Sequence, residues 1–401
     1  MQPTVDRDVA VITPWYPTRQ SPFRGSFVQA MVDATAPTVD RMRVYHCDDW
    51  VAQLSAREDA EVDAAARWLL PRAVHWRPTV GGAQLQLLPV SIPRGTLYAE
   101  NARRHEAALR IALGGRPLDA PVVHAHVGLP SGWAGLRNMR PDAKLFVTEH
   151  ASFLDLILAD PDSRAMYDEL LTRCTGFFAV GDGVRGLLSE TFPQHRDRIQ
   201  VMPNPISFEA ARTDPVARLH RWIYVGGLKP TKGVHLLLEA FATCHADDDA
   251  LTLTLVGEGP LLDQLKTRAG QLGVAHAVTF TGPVPPEVAL RLMREHDLLV
   301  HPSRAETFGM VVVEASAAGL PVLVTRCGGP ERTLSGIEEA AGQLFGVEDD
   351  AESIVEAYRR LAARWPDGLD LARARTELAA RYGYQAVADA HHRAWFAGVA
   401  A

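Results

Sequence analysis

The stretch DLLVHPSRAETFGMVVVEASAAGLPVLVTR, Asp297–Arg326, decides how this chain is read. An apolar run ends in His301-Pro302-Ser303, a polar loop follows, a helical pattern begins near Gly309, and a second apolar run occupies Leu320–Arg326. Strand, loop, helix and strand in that order build a parallel sheet covered by helices. The alternation continues on the amino-terminal side. Strands are expected at Arg221–Gly227, Leu251–Gly257 and Ala277–Gly282, with helices beginning near Val234, Leu261 and Glu287. An earlier series reads as strands at Asp8–Thr13, Met42–Cys47, Gln84–Val90, Pro121–His126, Lys144–Glu149, Gly176–Gly181 and Arg198–Pro203. Between the series, Asn204–His220 has two prolines and no apolar periodicity, so a linker is placed there. The acidic, Ala-rich stretch Asp49–Ala73 reads as a surface helical excursion without chemistry. Near the end, Tyr384, Val387, His391 and Trp395 stand at helical spacing and mark an amphipathic closing helix. The expected class is α/β, with two doubly wound domains whose strand ends face a central cleft.

Composition narrows the function. The 401 residues are enough for two domains, and 47% apolar against 22% charged residues is ordinary globular usage. A formal net charge of −7 argues against nucleic acid as a partner, because phosphate neutralisation needs a surplus of Lys and Arg. Cys47, Cys174, Cys244 and Cys327 lie far apart without a CxxC pair, which suits reduced thiols. The amino terminus has no signal-peptide pattern. The longest uncharged stretch, Pro121–Leu136, is too short and too rich in Gly, Pro, Ser and His to span a bilayer. A cytoplasmic protein without an integral membrane segment is expected; peripheral membrane contact stays open.

Three constellations carry chemistry. In the opening stretch, Glu306 and Glu314 are separated by seven residues. Eight residues of helix rise roughly 12 Å, too far for an acid/base pair. Two such carboxylates instead suit two hydroxyl-bearing parts of one elongated ligand. The backbone N–H groups of Phe308, Gly309 and Met310 open a helix and suit an anion between them. Polyol, diphosphate and ribose have that layout. The second constellation is Gly226-Gly227, Lys229, Lys232 and Gly233, where glycines admit a phosphate and lysines supply charge. It is not a P-loop, and a solvated turn is its bland reading. The third is His124 and His126 at one strand end with His150 at the next. Packing, a zinc pair and a ligand-positioning role all remain open for them. The loop Pro14–Phe27 adds Gly25, which permits close approach, and Trp15, Tyr16, Arg19 and Arg24. Those four suit either a polar acceptor or an anchor for the loop.

With these residues in view, Trp222–Glu331 resembles family 4 glycosyltransferases of the GT-B fold. The amino-terminal half is similar more loosely, through TPWYP, FRGSF, VVHAH and TEHAS. The resemblance implies two Rossmann-like domains, the first of residues 1–203 plus 383–401 with the closing helix returning to it, the second of residues 204–382. It implies retaining transfer of a hexose-type sugar from a nucleoside diphosphate donor to a hydroxyl acceptor, with no metal and no cofactor beyond the co-substrate. A UDP-sugar is favoured and GDP-mannose comes next; the acceptor is a small molecule, such as a secondary metabolite, or an envelope glycan.

Residue by residue, the resemblance gives Glu306 the donor sugar, Phe308–Met310 the adjoining backbone, Glu314 the ribose and Lys232 the diphosphate. It gives His126 the reacting sugar, Gly25 the phosphates and Val284 the base. His126, Glu306 and Lys232 are the expected catalytic residues, and Trp15, Tyr16, Arg24 and His150 are assigned to the acceptor. One departure stands out: Gly227 occupies the usual arginine position, so Lys229 or a neighbouring loop charge is expected to compensate. A nicotinamide dehydrogenase is disfavoured because the first strand runs into Pro14-Trp15-Tyr16-Pro17 rather than GxGxxG. Asp247-Asp248-Asp249 formally fits a metal-binding DxD but reads as a solvated turn. A nucleotide-sugar 2-epimerase of the same fold and a non-catalytic sugar-nucleotide binder remain as alternatives.

Overall fold

In the first strand, β1 (Asp8–Thr13), Val9 and Val11 join one core cluster while Ala10 and Ile12 join another. A strand buried on both faces belongs to a parallel sheet between helical layers. The computed structural model describes residues 6–72 and 75–397. The chain forms two units, one of Met1–Pro17, Arg24–Pro205 and Val387–Ala401, the other of Thr18–Phe23 and Ile206–Ala386. The expected changeovers at 203/204 and 382/383 thus fall two and four residues before the observed ones at 205/206 and 386/387. Residues 1–5 and 398–401 of the expected first domain lie outside the described residues, as does Ala73 of the expected excursion.

The first unit continues with β2 (Arg41–Ala52), β3 (Arg77–Pro78), β4 (Gln84–Pro93), β5 (Val122–His126), β6 (Lys144–Glu149), β7 (Gly176–Ala179) and β8 (Ile199–Val201). Their order across the sheet is β3-β4-β2-β1-β5-β6-β7-β8, with β3 alone antiparallel to its neighbour. Helices α1 (Ser26–Thr35) and α2 (Ala56–Leu69) follow β1 and β2. Here the sequence reading needs correcting. Asp49–Ala52 is not helical but prolongs β2, pairing with β4 as far as Ala52 opposite Pro93. The helix starts only at Ala56, where Ser55 caps it with a capping box to Glu58.

The second unit contains β9 (Arg221–Val225), β10 (Thr252–Val256), β11 (Val278–Gly282), β12 (Leu298–His301), β13 (Val322–Thr325) and β14 (Gly342–Phe345). They are parallel, in the order β11-β10-β9-β12-β13-β14. Trp222 and Tyr224 of β9 face one core, Ile223 the other. Helices α3 (Val234–Asp247), α4 (Pro286–Glu295) and α5 (Met310–Ala318) begin close to the expected positions. The short β14 was not expected; four residues of GQLF carry no recognisable period. The last helix, α6 (Tyr384–Phe396), buries Val387, His391 and Trp395, and Trp395 joins a core cluster of the first unit. No helix among the described residues is long and apolar enough to cross a membrane, and all four cysteines are free.

Among its parallel strands, each sheet has one point where the strand order reverses: β1 between β2 and β5, and β9 between β10 and β12. Doubly wound folds bind ligands beyond the carboxyl ends of the strands at such points. The loops there are the ones after β1 and β5 in the first unit, and after β9 and β12 in the second.

Candidate active site

In the second unit, β9 runs into Gly226-Gly227 and the turn that carries Lys229 and Lys232. Gly233 ends this turn at φ +66, and a Cβ there would lie 2.1 Å from the Pro302 carbonyl oxygen. Only glycine lets the turn press so closely on the end of β12. That approach brings Lys232 to Glu306, 74 residues away, with Nζ 2.6 Å from Oε1. The same oxygen accepts from His301 Nε2 at 2.7 Å. Burial pushes the Glu306 carboxyl up, but the hydrogen bond and charge of His301 and the charge of Lys232 outweigh it and hold the group at about 2.

Glu306 does not lie on a helix, so the expected eight-residue helical rise between the two glutamates is corrected. Residue 306 sits in the loop, bridged to Gly328, and α5 begins at Met310 after Gly309 at φ +81. The first N–H groups of α5 open this helix beside Phe308, whose buried ring meets Tyr382 edge-on. Glu314, half-buried on α5, has no hydrogen-bond or ion-pair partner among the described residues, and burial pushes its carboxyl up to about 7. Val284, between β11 and α4, packs on the core beside α5. The Gly227 carbonyl accepts from the Tyr224 hydroxyl at 2.8 Å. A Cβ on Gly227 would touch Lys229 Cε at 3.4 Å, so the Lys229 stem runs past the place where an arginine side chain would start. Asp247 and Asp248 of the formal DxD are spent on Arg359 and His220.

In the first unit, β5 and β6 bring His126 and His150 together, Nδ1 to Nε2 at 2.8 Å. His124 stacks under His126, ring centroids 5.0 Å apart and 6° from parallel. Trp395 of α6 donates to His124 Nδ1 at 3.1 Å, so His124 carries its proton on Nε2 and donates to Thr148 Oγ1 at 2.8 Å. His126 Nε2 and His150 Nδ1 are buried without hydrogen-bond partners among the described residues. Burial and the neighbouring rings push His124 and His126 well below the usual histidine range and His150 to about 3, so all three are neutral. Among the described residues no group of three or more His, Cys, Asp or Glu is arranged to hold a metal ion.

Backbone strain marks the same spot. Val127 follows His126 at φ +69, an outlier for a β-branched residue that costs on the order of 1–3 kcal/mol. The buried carboxylate of Glu149 holds the surrounding turns: it accepts from the N–H groups of Gly128, His150 and Ala151 and from the Tyr167 hydroxyl. Burial raises this carboxyl, and those four donors work against the rise.

The loop after β1 closes on Gly25, the residue before α1, at φ +74. A Cβ there would lie 2.4 Å from the Trp15 carbonyl. Trp15 meets Phe27 and Phe153 edge-on, and Arg24 pairs with Asp48 at 3.3 Å. Tyr16 is a correction: its ring belongs to the core, buried, and so anchors the loop rather than offering an open contact to an acceptor.

Sequence reasoning passed over His301, Tyr224 and Glu149. His301 and Glu149 are each the last residue of an apolar strand, a signal available in LLVH and KLFVTE.

Known proteins resemble both halves. A family described as Glycosyltransferase Family 4 matches residues 44–210, and Glycosyl transferases group 1 matches residues 217–381. The D-inositol 3-phosphate glycosyltransferase of Nocardia farcinica is 31% identical over 231 residues, covering 52% of this chain and 47% of its own length. The match thus spans about half of that relative. The sucrose-phosphate synthase of Thermosynechococcus elongatus superposes with a TM-score of 0.72 at 18% identity, over 96% of this chain and 98% of that one. Anabaena HepE in complex with UDP gives 0.66 at 15% identity, over 96% and 98%. Taken with two parallel sheets of doubly wound order, these matches show that the chain belongs to the group 1, family 4 glycosyltransferases of the GT-B fold.

Proposed function

We propose that this protein transfers a hexose-type sugar from a nucleoside diphosphate donor, with a UDP-sugar favoured over GDP-mannose, to an acceptor hydroxyl with retention at the anomeric carbon. The observation that carries this reading is the Lys232–Glu306–His301 cluster at the strand-order reversal of the second unit, next to the opening of α5. In this reading the helix N-terminus and Lys232 take the diphosphate, Glu306 the sugar and Glu314 the ribose. The HepE complex supports UDP, and the name of the Nocardia relative supports a polyol-type acceptor. The anomeric carbon–phosphate oxygen bond breaks while the acceptor oxygen bonds to the same face, and the departing phosphate oxygen takes the acceptor proton. No metal is assigned a part. His126, neutral, serves as a hydrogen-bonding group at the reacting sugar.

A nucleotide-sugar panel read by thermal shift tests the donor. A ligand at 100 times its Kd stabilises by about 2.7 kcal/mol, enough to rank UDP-glucose, UDP-galactose and GDP-mannose. If none stabilises the protein, the donor reading is wrong.

Lys229 is proposed to supply the charge that Gly227 lacks. Lys229→Ala is expected to raise the UDP-glucose Kd about tenfold, as loss of one charged hydrogen bond does. Unchanged affinity by calorimetry removes Lys229 from the site.

Glu314 makes donor binding pH-dependent. Its folded pKa of about 7 lies above the ordinary value of 4.5, so the carboxylate that accepts ribose hydroxyls forms only as pH rises through 7. UDP-glucose affinity is expected to rise roughly tenfold from pH 6 to pH 8. The phosphodiester groups of UDP-glucose do not titrate there, so a flat profile in Glu314→Gln isolates the effect. A wild-type profile that is flat or falls would refute it.

A further inference from the structure

We infer that His301 is a positioning residue that pins one oxygen of Glu306 and thereby reserves the other for the donor sugar. The inference rests on the donor-site reading above. Glu306 Oε1 accepts from both Lys232 Nζ and His301 Nε2, while Oε2 has no partner among the described residues. A carboxylate held at about 2 is ionised and accepts only, so the proton in the second contact sits on His301 Nε2. His301 Nδ1 is buried as well and has no hydrogen-bond partner among the described residues.

The two donors to Oε1 differ in how firmly they are fixed. Lys232 lies in the turn after β9, on a long side chain that remains partly exposed. His301 ends β12, almost wholly buried, and its ring stacks on Tyr224 with centroids 5.5 Å apart and 14° between planes. Tyr224 is itself tied to the Gly227 carbonyl. An anion at the opening of α5 competes for Lys232 but has no hold on His301. When Lys232 turns to the diphosphate, His301 keeps Oε1 in place and Oε2 accepts from a sugar hydroxyl. In this reading Lys232 has two partners in turn, Glu306 and the diphosphate. Without His301, a Lys232 that turns to the diphosphate leaves Glu306 Oε1 unheld, so the sugar hydroxyl loses a fixed acceptor while the diphosphate keeps its lysine.

The test uses stereochemistry. A glutamine amide nitrogen reaches the place of histidine Nε2, whereas an asparagine amide reaches only that of Nδ1. Calorimetry on the full chain compares UDP with UDP-glucose in wild type, His301→Gln and His301→Asn. UDP is expected to bind all three within twofold, which also checks folding. The ratio of UDP to UDP-glucose affinity is expected to shift about tenfold against the sugar in His301→Asn and to stay within threefold of wild type in His301→Gln. A wild-type ratio in His301→Asn, or an equal loss in His301→Gln, overturns the inference. Long-range 15N–1H spectra of the ligand-free protein provide a second test that does not depend on the donor. A proton on His301 Nε2 is expected, and a ring protonated at Nδ1 alone overturns the inference on its own. If wild type binds neither UDP-glucose nor GDP-mannose, it is the donor reading that fails, and the inferred role of His301 falls with it.

Discussion

Glu306→Gln is expected to lower sugar transfer by about 10²–10³-fold, the effect of removing one preorganised charged group from the proposed reacting centre. Glutamine keeps the shape of the side chain and its contact with His301 but loses the charge that Lys232 balances. The variant also reports on stability. The Glu306 carboxyl is depressed from 4.5 to about 2 in the folded protein. A depressed acid stabilises the fold above its unfolded pKa and loses that contribution as pH falls through the folded one. A shift of this size corresponds to about 3 kcal/mol at neutral pH. Glu306→Gln is therefore expected to melt several degrees below wild type at pH 7, with the gap narrowing between pH 4.5 and pH 2. Calorimetric melts at pH 7 and pH 3 read the second effect, and turnover with UDP-glucose and an accepting polyol reads the first. Turnover within tenfold of wild type would remove Glu306 from the reacting centre. An undiminished melting gap at pH 3 would mean that the Lys232–Glu306–His301 cluster is not what the glutamine disrupts.

The two α/β halves were legible because buried parallel strands are short apolar runs between helical periods, as LLVH and LPVLV show. Strand order was not, since the reversals at β1 and β9 depend on pairing between segments far apart in sequence. Composition misled at Asp49–Ala52, where acids at the end of β2 sit opposite β4 in a register that no local pattern announces. Spacing misled at Glu306 and Glu314 because a count of residues does not say where the helix starts. The contact between Lys232 and Glu306 was foreshadowed only as two residues for one ligand; the close press of Gly233 on Pro302 makes them direct partners. His301 and Glu149 escaped because a polar residue ending an apolar run reads as a boundary. Each is in fact a buried group turned toward a neighbouring loop.

His126→Ala is expected to lower transfer by about 10²–10³-fold while leaving UDP-glucose affinity within threefold, because the part proposed for it is at the reacting sugar and not on the diphosphate. The hold on this ring begins at Trp395, 271 residues along the chain from His124, whose tautomer its indole N–H fixes. His124 in turn stacks flat beneath His126, and His150 bonds to His126 Nδ1, so the ring has no freedom to turn. What remains is Nε2, a buried polar atom with no partner among the described residues, next to a residue held at a strained positive φ. An unpartnered buried nitrogen costs stability unless a ligand meets it. Burial and the surrounding rings keep the imidazole neutral, so the part proposed for it is that of a hydrogen-bonding group rather than a charged acid. The pH–rate profile between pH 5 and pH 8 should accordingly show no limb that disappears in His126→Gln, a variant that returns a polar group near Nε2 and part of the rate. Such a limb would make His126 a titrating acid or base, and wild-type turnover in His126→Ala would leave this buried, rigidly held nitrogen with a purely structural part.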